Sequence, residues 1–177
     1  MNPPATPCRL YVYLANDAPL AVVLRRGPSS WTRLSLWHTD DDTFDHGQWM
    51  KNRVYERRCD LSPDGSLFTY FAFGSSHDTE PGKDSWVAIS HPPWFSALAL
   101  WFLGMTYYTG GFFVEQDRLW LGFESTSPDR GFLPDNLSLT TDRPPHDDRT
   151  PNWTDRTVWL SRLLRGGWRP VPGAARE

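Results

Sequence analysis

Residues 37–49 read WHTDDDTFDHGQW, and residues 101–113 read WFLGMTYYTGGFF. Set one above the other, Trp37 falls on Trp101, Phe44 on Tyr108, Gly47 on Gly111 and Trp49 on Phe113, each pair 64 residues apart. The LSLW at 34–37 falls on the LALW at 98–101 at the same distance. Working outward, NRVYERRCDLSPDG (52–65) matches DRLWLGFESTSPDRG (117–131), so that Tyr55 meets Trp120 and the SPD at 62–64 meets the SPD at 127–129. Upstream, RLYVYLA (9–15) matches SLFTYFA (66–72), and AVVLRRGP (21–28) matches WVAISHPP (86–93). An ordered series of this kind is the mark of an internal repeat. It divides one domain, 1–177, into units at 9–65 and 66–131 and a partial unit at 136–168. Residues 169–177 read as a flexible tail.

Each unit holds about four strand-like runs. The first unit has Leu10–Leu14, Leu20–Arg25, Thr32–Trp37 and Arg53–Cys59; the second has Leu67–Phe73, Trp86–Ser90, Ala97–Phe102 and Arg118–Phe123. Their aromatic and β-branched content suits a pleated, half-buried surface. Sixteen Pro and thirteen Gly punctuate the runs, as an all-β chain with many turns requires. Gly27–Pro28 and Pro92–Pro93 break the chain between the second and third strands of each unit. The partial unit offers NLSLTTDR (136–143) as a first strand. Its second element, within RTVWLSRLLRGGW (156–168), fits a strand or a helix at Val158–Leu164 equally well.

The stretch CDLSPDGSLFTYFA (59–72) resembles a blade junction of bacterial β-propellers of the WD40-like and translocation-protein type, where SPDG joins the last strand of one blade to the first of the next. The chain as a whole is similar to a family of uncharacterised bacterial proteins. The resemblance implies an all-β fold of two to three propeller-blade-like antiparallel repeats. Propellers close with four or more blades. Two units and a fraction therefore form a small open sheet assembly or sandwich instead, with an end for 132–177 or another chain to cover.

Composition narrows the function. A net charge of −3 and a pI near 5.9 argue against a phosphate-binding surface, so nucleic acid is not an expected partner. The longest apolar run, WFSALALWFLGM (94–105), is too short to span a bilayer, and no membrane partner is expected. The N-terminal stretch lacks a basic segment followed by an apolar one, so a cytoplasmic location is expected. Cys8 and Cys59 are then reduced thiols, a bridge between them being the minor alternative. Arg58 beside Cys59 would favour a reactive thiolate, burial an inert one.

The 38–46 segment carries the chemistry-bearing residues. His38, Asp40, Asp42 and His46 are candidate metal ligands, and His38, Asp42 and His46 a candidate catalytic set. The matching loop of the second unit has neither His nor carboxylate, so the charges belong to the first unit alone. The expected reading is a polar loop on a packed aromatic frame. Neither a calcium-loop order nor a His-x-x-x-His pair is present. No phosphate loop, nucleophile elbow or other cofactor motif is found, and no cofactor is implied. His77, His91 and His146 are isolated and read as turn or surface residues.

Trp37, Trp49, Tyr55, Trp101, Phe113 and Trp120 recur between units and are expected in the core. Trp31, Trp94, Tyr107 and Phe112 lack aromatic counterparts and are the expected partner-binding residues. The function expected is therefore a non-enzymatic protein-binding or assembly module of a bacterial cytoplasmic complex, as accessory, inhibitor or immunity-type partner. It would act through a protein partner or self-association, with an oligomer or obligate complex favoured. The alternative is a small hydrolase or metal-dependent enzyme with its site at 38–46.

Overall fold

The computed structural model describes residues 7–28, 30–74, 82–144, 153–169 and 171. The strands β1 (Arg9–Leu14), β2 (Leu20–Arg26), β3 (Thr32–His38) and β4 (Thr43–Met50) form a four-stranded antiparallel meander. Next come β5 (Arg53–Val54), a 3-10 turn (Glu56–Arg58), β6 (Asp60–Leu61), β7 (Phe68–Phe73), β8 (Ser85–Ser90) and β9 (Ala97–Phe102). Then β10 (Gly111–Glu115) and β11 (Arg118–Leu121) form a hairpin, followed by β12 (Arg130–Gly131), β13 (Ser138–Thr140) and α1 (Trp153–Arg165). The second sheet has the order β12-β9-β8-β7-β5, with β6 also pairing β7. The third sheet is β10-β11-β13, the last pair parallel. The fold is thus all-β, an open assembly of three sheets with one helix.

Strand alternation sets the stacking. Tyr13, Val22, Leu24 and Leu34 on one face of the first sheet pack against Phe68, Tyr70, Ala72 and Ala88 of the second. The opposite face of the second sheet, with Phe71, Val87, Ile89, Ala99 and Trp101, packs against Phe113, Leu119 and Leu121 of the third. The far face of the third, Phe112 and Trp120, meets Val158 of α1. The three sheets stack in chain order, and α1 packs on the third while its C-terminal end reaches back to the first, where Arg162 lies over the Tyr13 ring and Arg165 bonds Asn16. Among the described residues no sheet lies over the outer face of the first sheet, and the end of α1 and Trp168 border it, beside Val12 and Leu14.

Two turns fix this arrangement. In the SPDG turn, Ser62 Oγ donates to Asp64 Oδ1 at 2.7 Å, and the Ser66 amide donates to the same oxygen at 2.8 Å. Gly65 lies at φ +78, and a Cβ there would stand 3.0 Å from Leu20 Cβ, so both conformation and space call for glycine. Gly47 of β4 touches the 93–95 loop so closely that a Cβ would fall 2.0 Å from the Pro93 carbonyl oxygen.

Several expectations are corrected. The 38–46 segment is a hairpin with a full strand, β4, where a polar loop was expected. The 53–59 run is no continuous strand: it is two short strands split by a 3-10 turn, and both pair with β7 of the second sheet. The segment matching β4, β10, leaves the second sheet, and β12 takes the place beside β9. Residues 156–165 are helical, so the strand alternative for the partial unit falls. In the tail, Arg169 and Val171 are described; the rest of 169–177 lies outside the described residues.

Candidate functional site: the first sheet and its 38–46 hairpin

The β3–β4 turn spends its carboxylates on itself. Asp41 Oδ1 accepts from the Thr43 amide at 3.0 Å and the Thr43 hydroxyl at 2.7 Å. These two bonds hold the Asp41 carboxyl below the ordinary range. Asp42, at φ 59, accepts the Trp37 indole N–H at 3.1 Å. His38 Nε2 lies 2.9 Å from Asp45 Oδ2, and that bond raises the histidine pKa.

Register separates the candidate catalytic residues. His38 pairs with Thr43, and Asp45 with Leu36, so His38 and Asp45 share the inward-facing side of the ladder. His46 follows Asp45 in an extended strand and points to the other side, where it approaches Ser35 Oγ at 3.5 Å and stacks on Phe44. Asp42 is tied to Trp37. The set His38, Asp42, His46 therefore does not converge on one reacting point. Of the candidate metal set His38, Asp40, Asp42 and His46, the two histidines face opposite sides, Asp42 is tied to Trp37, and Asp40 is exposed in the turn. Among the described residues no group of three or more His, Cys, Asp or Glu side chains is placed to hold a metal ion.

What the hairpin does assemble is an apolar face. Ladder pairing lines up Leu10–Arg25–Arg33–Trp49, Val12–Val23–Ser35–His46 and Leu14–Ala21–Trp37–Phe44 in three rows across the outer side. Leu10, Val12 and Leu14 are 61%, 47% and 59% exposed. Phe44 and Trp49 are also exposed, Trp37 stacks on Phe44, and Trp31 meets Trp49 edge-on. The Arg25 and Arg33 guanidiniums both lie over the Trp49 ring, at 5.5 and 5.4 Å. Pro28, Trp31 and Trp49 frame an apolar cup of about 360 Å³ at one end of this face.

The expected binding aromatics scatter. Trp31 belongs to the outer face. Trp94 is exposed beside β4 in the 91–96 loop, and Tyr107 is exposed in the 103–110 loop. Phe112 is 3% exposed, packed with Trp120 and Val158, and is core. Conversely Trp37 and Trp49, expected in the core, lie on the outer face, whereas Trp101, Phe113 and Trp120 are buried. The residues missed were Leu10, Val12, Leu14, Arg25, Arg33 and Phe44. A signal was present: Leu10, Val12 and Leu14 alternate with Tyr11 and Tyr13, so β1 is apolar on both faces.

Elsewhere, a cleft of about 590 Å³ opens beside Trp101, Tyr108 and Phe123, with Glu124 and Asp129 at its rim. His91 Nδ1 meets the Ser66 carbonyl at 2.9 Å as a turn residue. His77 and His146 lie outside the described residues. Cys8 and Cys59 are free thiols, and burial pushes Cys59 up to about 12, which favours the inert of the two readings of this thiol. Arg58 turns instead to Asp155 and to the carbonyls of Thr106 and Tyr108. No helix among the described residues is long and apolar enough to cross a membrane. Comparisons with protein-family models, curated proteins and solved structures find no match for this chain.

Proposed function

We propose that this chain is a non-enzymatic protein-binding module of stacked blade-like repeats, working as an accessory, inhibitor or immunity-type partner in the bacterial cytoplasm. The outer face of the first sheet is its docking surface. The observation that carries this is that Leu10, Val12 and Leu14 on β1 and Phe44 and Trp49 on β4 are all exposed on one side of the first sheet. An exposed apolar face of this extent is a feature of interaction sites, and Trp and Arg are favoured anchors in them. The division of the 38–46 residues between two faces speaks against the hydrolase alternative.

The repeat is supported by the ladders. Tyr13 and Leu36 flank Val22 as Tyr70 and Leu100 flank Ala88, one place on from the Val87 that the sequence match sets against Val22; both tyrosines are buried, and each hydroxyl donates to a distant carbonyl, Glu56 or Phe95.

The test is capture of proteins from the native host by the wild-type chain and by Val12→Asp and Phe44→Asp. Both substitutions are at exposed positions, and circular dichroism checks the fold. A protein held by the wild type and lost from both variants is expected. Equal retention by all three would remove this face from the function.

A further inference from the structure

The first and second sheets differ in what covers them. The rung Phe71–Val87–Trp101 of the second sheet lies under the third sheet, and Trp101 is 2% exposed. In the first sheet the rung Leu14–Ala21–Trp37 has no sheet above it; Leu14 is 59% exposed beside the end of α1, while Ala21 itself is fully buried. One sheet thus lies beneath a neighbouring sheet on this side and the other does not.

Charge on this face is sorted by end. The β1–β2 and β3–β4 turns lie at one end and carry exposed Asp17, Asp40, Asp41 and Asp42. The strand ends opposite carry Arg25, Arg33 and Lys51. Arg25 and Arg33 rest on Trp49 and have no ion-pair partner among the described residues. The face is therefore a dipole along the strand direction with an apolar middle.

We propose that the occupant of this face is a second copy of the chain. The proposal rests on the docking-surface reading above and names its partner. The two-fold axis lies in the interface, parallel to the rung Val12–Val23–Ser35–His46. Rotation about it lays β1 antiparallel over the partner copy's β1. The arginine end of each copy then meets the aspartate end of the other. The Leu10–Trp49 row of one covers the Leu14–Phe44 row of its partner, and Val12, Val23 and Ser35 keep the centre low. A two-fold axis along the strands would instead set arginine on arginine and aspartate on aspartate. Charge thus selects one of the two closed face-to-face dimers.

Light scattering on the purified chain tests the proposal. The wild type is expected to be a dimer that weakens as salt is raised. Arg25→Glu with Arg33→Glu outweighs Lys51 and makes the face acidic at both ends; Asp17→Lys with Asp40→Lys offsets Asp41 and Asp42 and leaves only the arginine end charged. Each double variant alone is expected to lose affinity for itself by about tenfold or more. Mixed in equal amounts, the two are expected to form a heterodimer. A monomeric wild type at every soluble concentration would overturn the second copy as occupant. The docking-surface reading then still stands or falls by the Phe44→Asp capture. A wild-type dimer that neither double variant weakens would overturn this face as its interface.

Discussion

Arg165 and Asp60, 105 residues apart, form a two-pronged ion pair, with Arg165 Nη2 2.6 Å from Asp60 Oδ1 and Nη1 2.9 Å from Oδ2. Asp60 is fully buried, and its Oδ2 also accepts the Phe113 amide at 2.9 Å. The same guanidinium donates to the carbonyls of Phe113 and Leu61. One side chain at the end of α1 thus ties the helix to β6 and β10. Small residues, Thr157, Val158 and Ser161, line the buried side of the helix.

Breaking that pair strands a charge. Arg165→Ala leaves a buried carboxylate without its cation, and a loss of about 3–5 kcal/mol in urea unfolding is expected. Asp60→Asn keeps the size of the side chain and removes the charge, so an equal loss there would assign the cost to hydrogen-bond geometry instead.

The two tryptophans of the repeat separate under substitution. Trp101→Ala empties a core position and is expected to cost about 3–5 kcal/mol. Trp37→Ala loses a half-exposed ring and its bond to Asp42, and a cost of about 1 kcal/mol is expected. Denaturant midpoints of the two variants measure the difference. Measured at concentrations where the chain is monomeric, equal midpoints would mean that Trp37 is as deeply packed as Trp101.

Thiol labelling distinguishes the two cysteines. Cys8 is exposed and is expected to react with a maleimide or disulfide reagent in the native protein. Cys59 is buried, its thiol is pushed up to about 12, and it is expected to react only after denaturant is added. A native count of two labelled thiols would contradict the packing around Tyr13 and Val54.

The His38–Asp45 pair has a definite sign with pH. The bond to Asp45 raises the folded-state pKa of His38 above the ordinary imidazole value of about 6.5. Its contribution is therefore fully present below that unfolded value and is lost as pH rises through the higher folded one. Titration of the ring protons by NMR is expected to show a raised midpoint that returns toward the ordinary value in Asp45→Asn.

Strands β1 to β3 and β7 to β9 are legible in the sequence because their alternating aromatic and β-branched residues match a pleat. Strand β4 is hidden because Thr43, Phe44, Asp45 and His46 are all exposed, which gives a strand the composition of a loop. The break at 56–58 is invisible locally. Arg58 turns inward to meet Asp155 and the 106–108 carbonyls, partners supplied by distant chain. The helix was ambiguous because Val158, Trp159, Leu160, Leu163 and Leu164 satisfy both periods; small residues at 157 and 161 let it approach the sheets. At the candidate site, the sequence shows which side chains are near one another along the chain, but only register decides that Asp45 and His46 face opposite ways.

The Arg165–Asp60 pair also bears on synthesis of the chain. Strands β1 to β4 and β7 to β9 are meanders of sequential neighbours and can collapse while translation is still under way. Asp60 is then held in apolar surroundings before its cation has been made. An unfinished product lacking the last turn of α1 carries that uncompensated charge at the join of β6 and β10. Such a product opens there more readily than the full-length chain, which makes it the preferred substrate for quality-control proteases.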